Sequence, residues 1–388
     1  MTGAVAGRAL RDPFAVRAQH LNGSSLAELF VLARERSAID LAVGTPGFPV
    51  TPPRLIEGAV EALRSGRNQY EAAHGEAMLR RQIADSFSTP ADPDTDITVT
   101  VGGTEALCAA VLASVDPGDE VVILEPFYEN FVNAIALAGG VPRVVSLRAP
   151  HWRLDAAELA EAFGPRTRAL IVNSPSNPTG RMLTLEELDE IARLCERWDV
   201  TVISDEVYAG LVFDGRNHLS VMDVPGLRDR SIVIGSLSKS LAVSGWRLGY
   251  LRAEARRTDV LRRVHEVTSN GAAAPLQFAA GHAGLVAGER WRPAIDLAAR
   301  RDVAQQIFGD LGFTFQPAEG GCFLLADISA VTAADCRDYV RRLLEESAVL
   351  VVPATPFFAD PERGSRYVRI AFNRTLDTLR AAERNLSR

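Results

Sequence analysis

The chain has 388 residues, 47% of them apolar and 23% charged, the proportions of an ordinary globular protein, which exclude a disordered or fibrous chain and predict two domains with sizeable cores. Its net charge is −7 with no block of like charge, so neither a nucleic-acid footprint nor a basic membrane-surface helix is expected. The N-terminus lacks a basic start followed by a long apolar run, and no stretch approaches the roughly 18 apolar residues of a spanning helix; the expectation is a soluble, unexported, cytoplasmic protein.

Taken in chain order, the first predicted element is a helix over residues 25–36, capped by Ser24 or Ser25 and leading into Leu41-Ala42-Val43. Short β-branched runs then alternate with amphipathic stretches: strand 97–101 and helix 104–113, strand 120–124 and helix 127–138, strand 168–173 and helix 185–197. Strands continue at 200–204 and 231–235. Strands separated by helix-length segments pair in parallel with helices on both faces, and such a sheet binds ligands at the carboxyl ends of its strands. The pattern predicts an α/β large domain over residues 44–281 with a mostly parallel sheet. Beyond it come a charged helical stretch at 289–311, a strand at 320–328, a helix at 333–346, a strand at 367–372 and a closing helix from Leu376. These predict a smaller α+β domain over 282–388, joined by residues 1–43.

Cys108, Cys195, Cys322 and Cys336 are far apart and form no Cys-x-x-Cys pair, so reduced thiols are expected rather than disulfides. His20, His74, His151, His218, His265 and His282 show no ligand spacing and read as surface or core histidines, not as a metal site.

The chemistry concentrates in five segments. Gly235-Ser236-Leu237-Ser238-Lys239-Ser240 follows an apolar strand, and Gly245-Trp246-Arg247-Leu248-Gly249-Tyr250 comes soon after. An amine able to attack a carbonyl carbon, beside a cation and hydroxyls able to hold a phosphate, suits pyridoxal 5'-phosphate. Gly102-Gly103-Thr104-Glu105 lies between a strand and a helix, where converging amides and the helix dipole favour a phosphate; alone, such glycines more often make a simple turn. Its neighbours in function are Arg247, Ser236 and Ser238, the arginine offering a planar fork to oxyanions. In Asn173-Ser174-Pro175-Ser176-Asn177-Pro178-Thr179-Gly180 two prolines stiffen a loop that presents Asn177 as a platform amide or uses it as a cap. Asp205-Glu206-Val207-Tyr208 ends a strand with a carboxylate that could keep a pyridine nitrogen protonated and a phenol that, with Asn177, could bind a ring oxygen.

Together with the late Tyr367-Val368-Arg369-Ile370, these segments resemble the fold-type I pyridoxal 5'-phosphate enzymes, and within them the class I/II aminotransferases, from Gly44 to the C-terminal helix. The resemblance implies Lys239 as the Schiff-base lysine and proton shuttle, Asp205 as the pyridinium partner, and Asn177 and Tyr208 on the ring oxygen. It implies that Arg247, Ser236, Ser238 and the amides of Gly103, Thr104 and Glu105 hold the phosphate, and that Tyr128, in Pro126-Phe127-Tyr128, stacks on the ring. Gly44 and Arg369 would take the substrate α-carboxylate, Arg369 by a bidentate pair that sets the Cα–H bond perpendicular to the imine plane. Tyr70, in Asn68-Gln69-Tyr70, resembles the tyrosine that reaches the phosphate of the neighbouring subunit, implying a homodimer with shared sites. The implied reaction carries an amino group from an L-amino acid to a 2-oxo acid by a ping-pong route.

The branch most similar contains kynurenine, glutamine and methionine aminotransferases, and includes cysteine-conjugate β-lyases, so β-elimination is the alternative chemistry. A purely ligand-sensing, DNA-binding relative would need several dozen residues ahead of Gly44 for its second domain. Cys322 stands where the branch carries a larger residue, which predicts extra room near the substrate. Residues 264–288 contain no arginine, which disfavours strict specificity for aspartate.

Overall fold

The computed structural model describes residues 14–19, 21, 27–287 and 293–387. The expected caps Ser24 and Ser25 and the expected helix start at 289–292 lie outside these; the helices that follow them are Ala27–Glu35 and Pro293–Asp310.

After β1 (Ile39–Asp40) come the strands of one seven-stranded sheet: β2 (Ile97–Thr100), β3 (Glu120–Glu125), β4 (Val141–Ser146), β5 (Thr167–Asn173), β6 (Thr201–Asp205), β7 (Ser231–Ser236) and β8 (Gly249–Ala253). Their order is β2-β8-β7-β6-β5-β3-β4. Only β8 breaks the parallel pattern, running antiparallel to both β2 and β7. Side chains alternate along each strand and both faces are apolar. Val121, Ile123, Ile171, Ile203 and Ile234 pack under the helices Gly102–Ser114, Asn130–Ala138 and Ala255–Thr268. Val122, Leu170, Val172, Val202 and Val233 pack on the opposite side against helix Leu185–Trp198, whose start is fixed by a Thr184–Glu187 capping box.

The sheet is the expected mostly parallel one, but β4 and β8 have no counterpart among the predicted strands. Residues Val141, Pro142 and Arg143 of β4 are exposed at the sheet edge, and an edge strand carrying proline and arginine shows no apolar alternation. In β8 the pattern is broken by Gly249 and by Arg252, which is buried and donates to the carbonyls of Thr89 and Pro90 at 3.0 Å.

Beyond this sheet lie β9 (Thr314–Phe315), β10 (Phe323–Asp327), β11 (Val349–Leu350), β12 (Val352–Pro353) and β13 (Tyr367–Ala371). Four of them form an antiparallel sheet in the order β12-β13-β10-β9, and β11 pairs in parallel with β1. Register places Asn173 opposite Asp205, Ser236 opposite Gly249, and Gly249 in turn opposite Thr100. The carboxyl ends of β5, β6 and β7 therefore open on the same edge as the turn that starts helix Gly102–Ser114. Among the described residues no helix is long and apolar enough to cross a membrane, and no cluster of His, Cys, Asp or Glu could hold a metal ion.

Candidate active site

At that edge lies a cavity of about 520 Å³. Gly44, Gly103, Thr104, Tyr128, Asn177, Asp205, Tyr208, Ser236, Ser238, Lys239, Arg247 and Arg369 all line it, so residues up to 325 positions apart in sequence converge as the motifs required.

Lys239 stands on the short helix Leu237–Ser240, started by Ser236, whose Oγ accepts from the Ser238 amide at 3.1 Å. Its Nζ donates to the Gly44 carbonyl at 2.8 Å and has no ion-pair partner among the described residues. Burial lowers its pKa; Arg369, Arg247 and Arg374 lower it further, against an opposing influence from Cys322. These influences shift the amine toward its nucleophilic, unprotonated form. A β-carbon on Gly44 would sit 2.7 Å from the Phe323 ring, so that position requires glycine for the backbone to come this close.

Asp205, 8% exposed at the end of β6, is pushed by burial up to about 7; the Val207 amide opposes the shift and neighbouring Glu206 adds to it. A carboxylate held this way gains from a cationic N–H partner. Asn173, quoted in the sequence only as part of its loop, positions both neighbours. Its Nδ2 donates to the Asp205 carbonyl at 2.8 Å and its Oδ1 accepts from the Asn177 amide at 2.7 Å.

Tyr208 is buried edge-on against Phe323, and burial drives its pKa well above the ordinary phenol value, so it is a hydroxyl donor. Burial likewise pushes Tyr128 up to about 12; its hydroxyl accepts from Asn130 Nδ2 at 2.7 Å. Arg247 (φ +53°) brings its guanidinium so close to Gly102 (φ +77°) that a β-carbon there would overlap it. The unpaired amides of the first turn of Gly102–Ser114 and this arginine face one pole of the cavity.

Arg369, on β13, lies between the rings of Phe323 and Phe357 at 4.2 and 4.8 Å. It donates to Asn177 Oδ1 and to the Ala42 carbonyl, each at 3.0 Å, while its buried Nε has no hydrogen-bond partner. No described carboxylate pairs with this arginine, and a buried guanidinium without an anion is a site for one.

One expected residue, Tyr70, stands apart, and Glu105 offers the site only the backbone amide expected of it. The Glu105 carboxylate turns away from the cavity to accept from the Val101 amide at 3.1 Å and to meet His265, leaving only its backbone amide for the phosphate role. Tyr70 is 89% exposed, on a surface shared with residues 269–275, and does not reach the cavity of its own chain. The expected room at Cys322 is also absent. This thiol is 1% exposed, behind the cavity wall beside Tyr208, and Phe323 is the residue that faces the open space.

Arg374 and Asn373 escaped the sequence reading, although a second arginine five residues after Arg369 was the visible signal. Arg374 donates to the carbonyls of Asp40 (2.5 Å), Val43 (2.6 Å) and Thr45 (3.0 Å), and Asn373 Nδ2 donates to Gly44 O at 3.1 Å. They clasp the loop that presents Gly44. Arg374→Met is expected to raise KM for the amino acid about tenfold, the scale of one lost charged hydrogen bond, with the absorbance of bound cofactor unchanged; steady-state kinetics and a spectrum check both.

The groups present fit pyridoxal 5'-phosphate: an amine for its aldehyde, an undercompensated carboxylate for its ring nitrogen, two hydroxyl or amide donors for its ring oxygen, and amides with an arginine for its phosphate. The comparisons agree. The model of the family "Aminotransferase class I and II" matches residues 36–386. A Mycobacterium tuberculosis protein described as a probable N-succinyldiaminopimelate aminotransferase is 37% identical over 379 residues, covering 93% of this chain and 94% of the relative. The methionine aminotransferase of Escherichia coli is 33% identical, covering 94% and 96%. A solved structure of N-succinyldiaminopimelate aminotransferase from M. tuberculosis superposes with a TM-score of 0.91 at 36% identity, covering 96% of this chain and 99% of that one. This chain accordingly belongs to the class I and II aminotransferases: it is a pyridoxal 5'-phosphate enzyme that transfers an amino group between an amino acid and a 2-oxo acid.

Proposed function

We propose the following division of labour. Lys239 binds the cofactor covalently and is the proton carrier; Asp205 pairs with the ring nitrogen; Asn177 and Tyr208 donate to the ring oxygen; Tyr128 stacks on the ring. Ser236, Ser238, Arg247 and the amides of Gly103, Thr104 and Glu105 hold the phosphate, and Arg369 with Gly44 takes the α-carboxylate. The observation that carries this reading is Lys239 Nζ, desolvated and without an anion, sharing one cavity with a buried Asp205 and a buried, unpaired Arg369.

When bound, the cofactor draws off the electron pair left at Cα of the amino acid. Arg369 fixes the carboxylate through its planar fork, so the Cα–H bond has one orientation relative to Lys239. Lys239 Nζ, whose pKa burial lowers, takes the Cα proton and returns one to Cα of the product in the second half-reaction. Asp205 keeps the ring nitrogen cationic, and the neutral phenol of Tyr208 can donate without carrying charge.

The donor in this reading is an L-amino acid, without strict specificity for aspartate, supported by the lack of arginine in residues 264–288 and by relatives named for methionine, kynurenine and N-succinyldiaminopimelate. Mixing the holoenzyme with methionine, glutamine, kynurenine and aspartate, and following conversion of bound cofactor to pyridoxamine phosphate, tests it. Conversion by one of the first three is expected; none with any donor contradicts the reading. Arg369→Lys keeps a charge but loses the fork, and is expected to lower kcat/KM about tenfold to a hundredfold for donor and acceptor alike.

The same reading makes the protein a cytoplasmic homodimer in amino-acid metabolism, each Tyr70 serving the neighbouring site. The support for the dimer is the exposure of the large side chains Tyr70 and Val267 (both 89%) and Ile56 and Leu63 (both 50%). Mixing Tyr70→Ala with Lys239→Ala subunits should restore activity in the hybrid; no recovery despite proven subunit exchange contradicts shared sites. The domain division into residues 1–43, 44–281 and 282–388 is supported by the separate four-stranded sheet and by the pairing of β1 with β11.

A further inference from the structure

His265, on helix Ala255–Thr268, is fully buried and takes no part in the chemistry above. Its Nδ1 lies 3.1 Å from each carboxylate oxygen of Glu105 and 3.2 Å from Ser269 Oγ, and its Nε2 lies 2.8 Å from the carbonyl oxygen of Ala73. Neutral imidazole carries one N–H and would leave either the Glu105 carboxylate or the Ala73 carbonyl facing a bare nitrogen; imidazolium gives a donor to both. Burial opposes the charge, but the hydrogen bond to Glu105, its charge and the Ala73 carbonyl outweigh burial and raise the pKa, with Glu266 contributing.

The two partners belong to two different segments. Glu105 is in the first turn of Gly102–Ser114, where its carboxylate also accepts from the Val101 amide at 3.1 Å and Thr268 Oγ1 at 3.3 Å. Ala73 is in the segment that follows Tyr70, and the His74 carbonyl next to it accepts from Val99 of β2. We propose that His265 is a positioning residue for the cofactor's phosphate: its imidazolium ties the 102–105 turn to the 70–74 segment and so fixes the amides that bind the phosphate.

This rests on the phosphate placement proposed above. A group that merely stabilised the fold would affect every ligand of the cavity equally, whereas this clamp acts on the phosphate end alone. The test compares the affinity of the apoenzyme for pyridoxal 5'-phosphate and for pyridoxal, which lacks the phosphate, in the wild type and in His265→Gln and Glu105→Gln. Each substitution is expected to weaken pyridoxal 5'-phosphate binding about tenfold or more, the scale of a lost charge-assisted hydrogen bond, and to leave pyridoxal binding unchanged. The double variant should be no weaker than the worse single one, because both break the same contact. Unchanged pyridoxal 5'-phosphate affinity, or equal losses for both ligands, overturns the proposal. If His265→Gln fails to fold, Glu105→Gln decides, since its amide oxygen can still accept from Val101. Arg247→Gln separates the two layers. Should it keep the preference for the phosphorylated ligand, the phosphate placement itself is wrong; should it lose the preference while His265→Gln keeps it, only the role of His265 is wrong.

Discussion

Lys239→Ala is expected to give a folded protein that binds pyridoxal 5'-phosphate without a covalent link, lacks the absorbance of the lysine imine, and turns over slower by about 10²–10⁴-fold from the lost proton transfer alone. The fold should persist because the amine makes a single hydrogen bond, to Gly44 O, and its burial is uncompensated by any described anion; removing it relieves a desolvated group. Circular dichroism, the absorption spectrum and single-turnover rates with a competent donor check the three parts. A variant that kept full turnover would require another nucleophile in the cavity.

Asp205→Asn has an effect of similar size but opposite signs on stability and activity. The folded-state pKa of Asp205 is raised from 3.8 to about 7, chiefly by burial, so the folded, cofactor-free protein holds this proton more tightly than the unfolded chain does. Stability from this group is therefore lost as pH rises from about 3.8 to about 7 and is level above that. Asparagine keeps the shape without the charge, so the cofactor-free variant should melt higher than the wild type at pH 8 and show a flatter stability profile across that window. Catalysis moves the other way. Without the anion the ring nitrogen is no longer held cationic, and turnover should fall about 10²–10³-fold, the scale of one removed electrostatic stabiliser. Calorimetry of the cofactor-free proteins at several pH values and steady-state kinetics of the holoenzymes give both numbers; an unchanged pH profile in the variant contradicts the role given to burial.

Much of this was legible in the sequence because the chemistry sits on short motifs at strand ends. A buried parallel strand writes itself as a run of β-branched residues, and β5, β6 and β7 each end in the polar residues that the cavity uses: Asn173, Asp205 and Ser236. What escaped has physical reasons. Edge strand β4 exposes proline and arginine, and β8 carries a glycine and a buried arginine, so neither shows the alternation that marks a strand. Asn173 and Arg374 act through backbone groups: one joins the ends of two loops and the other collects the carbonyls of a loop more than 300 residues away. Such partners are set by the path of the main chain, which no local pattern encodes. Cys322 shows the converse. Its small size invited a reading of open space, but the backbone turns it behind Tyr208 and gives the cavity wall to Phe323. His265 read as a bland core histidine because its two acceptors, Glu105 and Ala73, lie 160 and 192 positions away.

The account depends on a covalent bond between Nζ of residue 239 and the aldehyde carbon of the cofactor. Borohydride reduction of the holoenzyme followed by peptide mass spectrometry locates that bond directly. The predicted result is one pyridoxyl-phosphate tag per chain, on the peptide containing Ser238-Lys239-Ser240; a tag on any other peptide, or none, contradicts it.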